Sequence, residues 1–333
     1  MNRRCACLIV LTACALLVPF RSPAPLIYTP GQGWTYEPVG TEGTWVRTRA
    51  KDQLIVAQDA FDKKDYSLAL KAARRVVSVW KFSDYAPQAQ YLIARCYEQR
   101  GYDERAFKEY QKLLEQYPKA VQFEDVLRQQ YEIAGRFLAG EWFRAWDVIP
   151  IPFFTSMDKT AGLYEKVVKN GPYSDIAPQA QLKIGEARVK EGNYPEAVKA
   201  YERAADRYND RPVVAAEALF QQGLAYQKQA ATAEYDQSMA AQAIAVFGDF
   251  ITSYPNDPRG AEAQKRINDL KTEQARGSFD NAEFYEKHGK LASAKIYYND
   301  VVSLLLSEPN SRYYVQSRER IDSINRRLQS ASE

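Results

Sequence analysis

Ala94-Arg95-Cys96-Tyr97, then Ala106-Phe107-Lys108-Glu109-Tyr110, then Pro118: this stretch decides the fold. Ala94 and Tyr97 are one helical turn apart, so they share a face. Ala106 and Tyr110 are spaced for one face of a second helix. Pro118 stops the second helix because it has no N–H to donate. Small residues fall where two helices would cross, letting their backbones approach. The tyrosines then fill the groove toward whatever packs next.

The same order of small and aromatic residues returns along the chain. A fourth unit reads Gly185, Ala197, Tyr201, with Asn209 in place of proline. A fifth reads Gly223, Tyr226, Ala243, Phe247 and Pro255, with eight extra residues between its helices. A third supplies Thr160, Tyr164 and Pro172 after a helix near 123–138, and a first reads Ala57, Ala60, Ala69 and Ala73. Tyr285, Ala294 and Tyr298 suggest a sixth. Ala69 to Ala106 and Thr160 to Ala197 are both 37 residues, whereas Ala106 to Thr160 is 54, so about 17 residues are inserted there. Two local identities support the register. Ala86-Pro87-Gln88-Ala89-Gln90 returns as Ala177-Pro178-Gln179-Ala180-Gln181, and Lys64-Asp65-Tyr66-x-x-Ala69 is echoed by Gly192-Asn193-Tyr194-x-x-Ala197. The pattern resembles the tetratricopeptide repeat. It predicts an all-α, right-handed superhelix of five to six helix pairs over 49–330, an α-solenoid. An irregular helical bundle is the alternative.

The inserted segment, 139–158, lies between the helices of the third unit. It holds Trp142, Phe143, Trp146, Val148, Ile149, Pro150, Ile151, Pro152, Phe153 and Phe154. So many large apolar groups cannot all face water. They form either a loop packed into the superhelix or a partner-binding patch, with Trp142, Phe143, Trp146, Phe153 and Phe154 as its candidate residues.

Residues 1–24 read as an export signal. Arg3 and Arg4 precede an apolar run from Cys5 to Phe20, followed by Arg21-Ser22-Pro23-Ala24. The run is short for a membrane span, which needs ~20 residues. Leu11-Thr12-Ala13-Cys14 resembles a lipobox, which would make Cys14 the lipid acceptor. Cleavage after Ala24, or an uncleaved anchor, are the alternatives. Residues 25–48 are rich in Gly, Pro and aromatics and read as an extended arm. Its Trp34, Tyr36 and Trp45 would pack on the first repeat or on a partner.

Hydrophobic residues at 46% and charged residues at 26% mark a folded chain rather than a disordered one. Lys plus Arg number 45 and Asp plus Glu 42. Three of the arginines (Arg3, Arg4, Arg21) lie in the leader, and without them the two signs balance. A neutral chain gives no electrostatic reason to expect nucleic acid.

Catalytic chemistry has little to stand on. His288 is the one histidine and falls at a helix end. No Cys/His spacing suits a metal, and Gly31-Gln32-Gly33 lacks the strand–helix setting of a phosphate loop. Cys96 reads as a small buried residue. The chain is therefore read as a non-enzyme with no cofactor. Protein binding would use the concave face lined by the first helix of each pair. That face would carry Gln88, Tyr91, Arg95 and Gln99 in the second repeat and Glu186 and Lys190 in the fourth. Arg95 or Lys190 could meet a peptide carboxylate.

In combination these features resemble the D-type lipoprotein (BamD) family of the outer-membrane β-barrel assembly machinery. The resemblance rests on Cys14, Asp65-Tyr66-Ser67-Leu68-Ala69-Leu70 and Tyr85-Ala86-Pro87-Gln88-Ala89. It continues in Ile149-Pro150-Ile151-Pro152-Phe153, Tyr164-Glu165-Lys166-Val167-Val168 and Gly171-Pro172-Tyr173-Ser174-Asp175. Gly223-Leu224-Ala225-Tyr226, Tyr235-Asp236-Gln237-Ser238, Phe284-Tyr285 and Ala294-x-x-x-Tyr298 complete it, over residues from about 50 to 305. It implies a periplasmic scaffold held by lipid on the inner face of the outer membrane. Its implied partners are the barrel-shaped insertase and unfolded barrel substrates. A different envelope scaffold, serving secretion, pili or envelope coordination, is the alternative.

Overall fold

In a computed structural model the described residues are 26–29, 33–36, 45–119, 123–144, 152–232 and 237–330. They contain thirteen helices and four short strands, and the chain divides into two compact units, 1–121 and 122–333.

In the first unit β1 (Leu26–Thr29) pairs antiparallel with β2 (Gly33–Tyr36). The segment read as an extended arm therefore contains a hairpin. Backbone pairing between 26–29 and 33–36 gives these residues partners that a sequence without helical periodicity did not reveal. Four helices follow: α1 (Ala50–Asp62), α2 (Tyr66–Val79), α3 (Ala86–Gln99) and α4 (Asp103–Gln116). Each packs on the next, and α1 also meets α3. Helix α4 shows why. Ala106, Phe107, Tyr110, Leu113 and Leu114 are its apolar buried positions, one stripe at helical spacing.

The second unit runs α5 (Phe123–Leu138), α6 (Met157–Asn170), α7 (Ala177–Glu191), α8 (Tyr194–Arg207), α9 (Pro212–Thr232), α10 (Gln237–Ser253), α11 (Gly260–Lys287), α12 (Leu291–Leu304) and α13 (Arg312–Ser330). Between α5 and α6, β3 (Phe143–Arg144) pairs with β4 (Pro152–Phe154). Six helix pairs are thus formed, two in the first unit and four in the second, with α13 closing the last. The proline positions fall where the sequence pattern put them, two residues beyond α4, α6 and α10.

The crossing of small residue and ring is direct. A Cβ on Gly185 would come within 2.5 Å of the Tyr201 ring, and one on Gly223 within 2.6 Å of Phe247. Ala94 and Tyr110 hold the same places in the second repeat, both fully buried. The twin Ala-Pro-Gln-Ala-Gln segments share a task too. Gln90 Nε2 donates to the Glu109 carbonyl and Gln181 Nε2 to the Ala200 carbonyl, each at 3.0 Å. A buried amide so placed locks the first helix of a pair to the second.

The turns inside the pairs repeat as well. Five residues before Ala69, Ala106, Ala197 and Ala294 stand Lys64, Gly101, Gly192 and Gly289, with φ of 61°, 67°, 84° and 73°. Three of the four use glycine, which adopts this left-handed backbone freely. Four of the loops between pairs, and the loop from α12 to α13, follow one scheme of two consecutive turns. The N–H of Ser83, Ser174, Arg211, Asp257 and Glu308 donates to the carbonyl three residues back. The N–H of Ala86, Ala177, Val214, Gly260 and Ser311 does the same.

Candidate partner-binding faces

The sequence-derived candidates fall in different units, so each face is described within its own unit. In the first, Gln88 and Gln99 are exposed, and Tyr91 and Arg95 are half-buried on the same side of α3. The Tyr91 and Tyr110 rings lie 5.8 Å apart. Arg95 is not a bare cation awaiting a ligand: its Nε lies 3.7 Å from the Glu98 carboxylate, which also accepts a 3.0 Å hydrogen bond from the Tyr110 hydroxyl. Burial would lower the Arg95 pKa, but the Tyr91 hydroxyl and the nearby Glu98 outweigh it, and the net shift is upward. Burial first, and then Glu98, drives the Tyr110 phenol well above its ordinary value.

In the second unit the picture is richer than Glu186 and Lys190 alone. Glu186 accepts from Lys183 at 2.7 Å and pairs with Lys190 at 3.2 Å. Burial alone would raise the Glu186 carboxyl, yet the two lysines hold it below its usual range. Lys190 also donates to the Leu138 carbonyl at the end of α5, 3.1 Å away, so part of its task is structural. Across on α9, Glu217 pairs with Arg259, which also reaches Asp257 at 2.8 Å. The Arg259 guanidinium lies over Phe220 and Phe250, at 4.9 and 5.4 Å from their centroids. These groups surround a cavity of about 410 Å³ whose lining includes Lys183, Glu186, Tyr201, Val213, Glu217 and Arg259. Alternating charge sits over an apolar floor, with Val213 81% exposed at its edge.

Sequence reading found Glu186 but missed Lys183, Glu217, Gln221 and Arg259. Lys183 had a visible signal, lying three residues before Glu186 on one helix face. Arg259 had none, because only folding carries the residue before α11 to the side of α9.

The insertion divides. Phe143 is 2% exposed and stacks on Phe137, with centroids 4.1 Å apart and planes 13° apart, so it is core rather than patch. Trp142 beside it is 54% exposed. Phe153 lies in β4, and Phe154 pairs there with Phe143 through the backbone. Trp146 and Cys14 lie outside the described residues.

Parts of the chain are similar to known proteins. Residues 57–121 match the tetratricopeptide-repeat family model. In this stretch the chain is similar to tetratricopeptide-repeat proteins. Residues 156–304 match the model of an outer-membrane lipoprotein family, YfiO. The outer membrane protein assembly factor BamD of Caulobacter vibrioides is 25% identical over 131 residues, 39% of this chain. The chain spans 43% of that relative's length. Among solved structures, the C-terminal part of a repeat protein from Cytophaga hutchinsonii is similar at a TM-score of 0.37 and 13% identity, covering 83% of this chain and 90% of that one. A repeat protein from Parabacteroides merdae gives 0.31 and 12%, covering 83% and 98%. The likeness to the D-type lipoprotein family is thus strongest in the second unit, which also holds the cavity.

Among the described residues no helix is long and apolar enough to cross a membrane, and no group of His, Cys, Asp or Glu is placed to hold a metal ion. Cys96 is buried, and burial pushes its thiol up to about 12.

Proposed function

We propose that this protein is a periplasmic, non-catalytic scaffold held by lipid on Cys14. It binds the barrel-shaped insertase and unfolded outer-membrane substrates during their insertion. The observation that carries the reading is coincidence of place. The cavity between α7, α9 and Arg259 lies inside residues 156–304, the stretch that matches the outer-membrane lipoprotein family. The exposed Val213 and the more buried Leu182 and Tyr201 supply apolar contact there, while Gln179 and Gln221 can hydrogen-bond an extended backbone. Lys183, Glu186, Glu217 and Arg259 are already paired with one another. A ligand therefore gains most from shape, apolar contact and backbone hydrogen bonds, and little from net charge. Tyr91 and Arg95 offer a second face in the first unit, with residue types that dominate interface energy.

The test is purification from detergent-solubilised envelopes, with mass spectrometry of the mature N-terminus. The reading expects a barrel insertase in the eluate and acyl chains on Cys14. A soluble periplasmic chain that brings down no insertase would instead support a scaffold for secretion, pili or envelope coordination. That alternative is favoured by one observation: residues 57–121, in the first unit, match the general repeat model.

A further inference from the structure

Five loops, four between helix pairs and one between α12 and α13, share one backbone scheme, so their tips can be compared directly. The tip, two residues past the first carbonyl of each double turn, is Phe82, Tyr173, Asp210, Asn256 and Ser307 in chain order. Asp, Asn and Ser are what a turn tip calls for, because their short polar side chains bond back to the backbone or to water. Phe82 and Tyr173 break the rule, at 94% and 91% exposure. Neither ring contributes to a core.

The first of these tips differs from the second in its neighbours. Before Phe82 stand Val79, 52% exposed, and the half-buried Trp80. The Lys81 ammonium lies 5.9 Å from the Phe82 centroid, and the Arg75 guanidinium 5.6 Å from the Trp80 ring. The turn is held: the Ser83 N–H bonds the Trp80 carbonyl at 3.0 Å, and the Tyr117 hydroxyl bonds the Lys81 carbonyl at 3.1 Å. Tyr117 also brings Lys119, exposed and two residues further on, to this end of the unit. Asp84 is the carboxylate within the turn. At the second tip, by contrast, Asn170, Gly171 and Pro172 precede Tyr173. Asp175, two residues after Tyr173, pairs with Arg211 at 3.1 Å.

A Trp, a Phe and a Val flanked by Lys and Arg match a phospholipid interface. Aromatic rings settle at the level of the headgroups, apolar side chains go just below, and long cations reach back to the phosphates. A protein pocket for Phe82 would have to accommodate Lys81, Arg75 and Lys119 around its rim. A phosphate-bearing surface takes them as favourable contacts. We propose that the turn at residues 79–82 docks on a phospholipid surface, Phe82 and Val79 entering it and Lys81 and Arg75 meeting its phosphates. This contact is separate from any acyl chain on Cys14, and a second weak membrane contact of this kind would fix the orientation of a lipid-held protein.

The test uses the full chain with Cys5, Cys7 and Cys14 changed to Ser, which removes acylation. Cys96 is buried with a raised pKa and takes up label poorly. An environment-sensitive fluorophore goes on Phe82→Cys, on Tyr173→Cys or on Ser307→Cys. The chains are mixed with vesicles of phosphatidylethanolamine and phosphatidylglycerol carrying brominated acyl chains. Circular dichroism checks each variant's fold. We expect several-fold stronger bromine quenching at position 82 than at 173 or 307, and a several-fold loss of that quenching in Lys81→Glu. Quenching at 82 no greater than at the other two tips, no association with vesicles at all, or indifference to Lys81→Glu would each overturn the proposal. A fluorophore at 82 that stays in water on vesicle-bound chain would leave Phe82 to a protein pocket instead.

Discussion

Lys64 holds a left-handed backbone where three sister turns use glycine. That conformation costs a side-chain-bearing residue about 1–2 kcal/mol, while glycine costs about 0.5–1 kcal/mol in unfolded-state freedom. The first term wins, so Lys64→Gly should stabilise the first unit by a few tenths to about 1 kcal/mol. Urea unfolding measures it, and a lowered midpoint would contradict the reading of that turn. Gly185 presents the opposite balance. Alanine there gains about 0.5–1 kcal/mol of helix propensity but drives a Cβ into the Tyr201 ring, and overpacking costs about 1–3 kcal/mol. Gly185→Ala should therefore destabilise the second unit by about 1 kcal/mol, as should Gly223→Ala against Phe247. Glu186 adds a pH dependence. Its folded pKa lies below 4.5, so its contribution is present above that pH and fades as pH falls through the lower folded value. Glu186→Gln should flatten the acid limb of a stability–pH curve below 4.5, and an unchanged limb would show that the lysine pairs add nothing.

At the scale of elements, α11 does two jobs. Ala263, Ile267 and Leu270 pack in one core with Phe247 and Phe250, while Ala275, Phe279 and Ala282 pack in the next with Tyr298 and Ile324. Helix α13 then covers that last core. Tyr313 lies 5.4 Å from Phe279, and Glu286 accepts from Tyr298 at 2.9 Å and pairs with Arg320 and Arg327. A helical-repeat core needs a neighbouring helix to bury its outer face, and α13 supplies it here. Ending the chain after Ser311 should abolish slow hydrogen exchange in α12 and in the C-terminal half of α11 while α7 and α8 keep theirs. Equal loss in all four helices would mean that the second unit unfolds as one block. The helix pairs themselves are legible in the sequence because small and aromatic residues recur in fixed register. Spacing alone pairs Ala94 with Tyr110 and Gly185 with Tyr201. The hairpin at 26–36 is not legible, since four-residue strands leave almost no periodic signal. Nor is Phe143: its place in the core depends on Phe137, six residues earlier on another element.

For the whole molecule, the sequence shows a helical-repeat fold, and the resemblance names its family likeness. It does not show which face is open for binding. Arg95 and Lys190 look like exposed cations in the sequence, and folding turns each toward a partner within its own unit. The cavity beside Glu186 needs Glu217 and Arg259, which lie 31 and 73 residues further along the chain. The central claim is that this cavity holds a protein partner in the cell envelope, and Val213→Asp is the change that tests it. Val213 is exposed, so an aspartate there should leave the fold intact, yet it would place a charge on the apolar edge of the cavity. The decisive measurement is quantitative co-purification of the barrel insertase with wild type and Val213→Asp from the same solubilised envelopes. The predicted result is recovery with wild type and at least a tenfold loss with the variant, about 1.4 kcal/mol or more of binding, at unchanged thermal stability. Equal recovery with both chains would contradict the account.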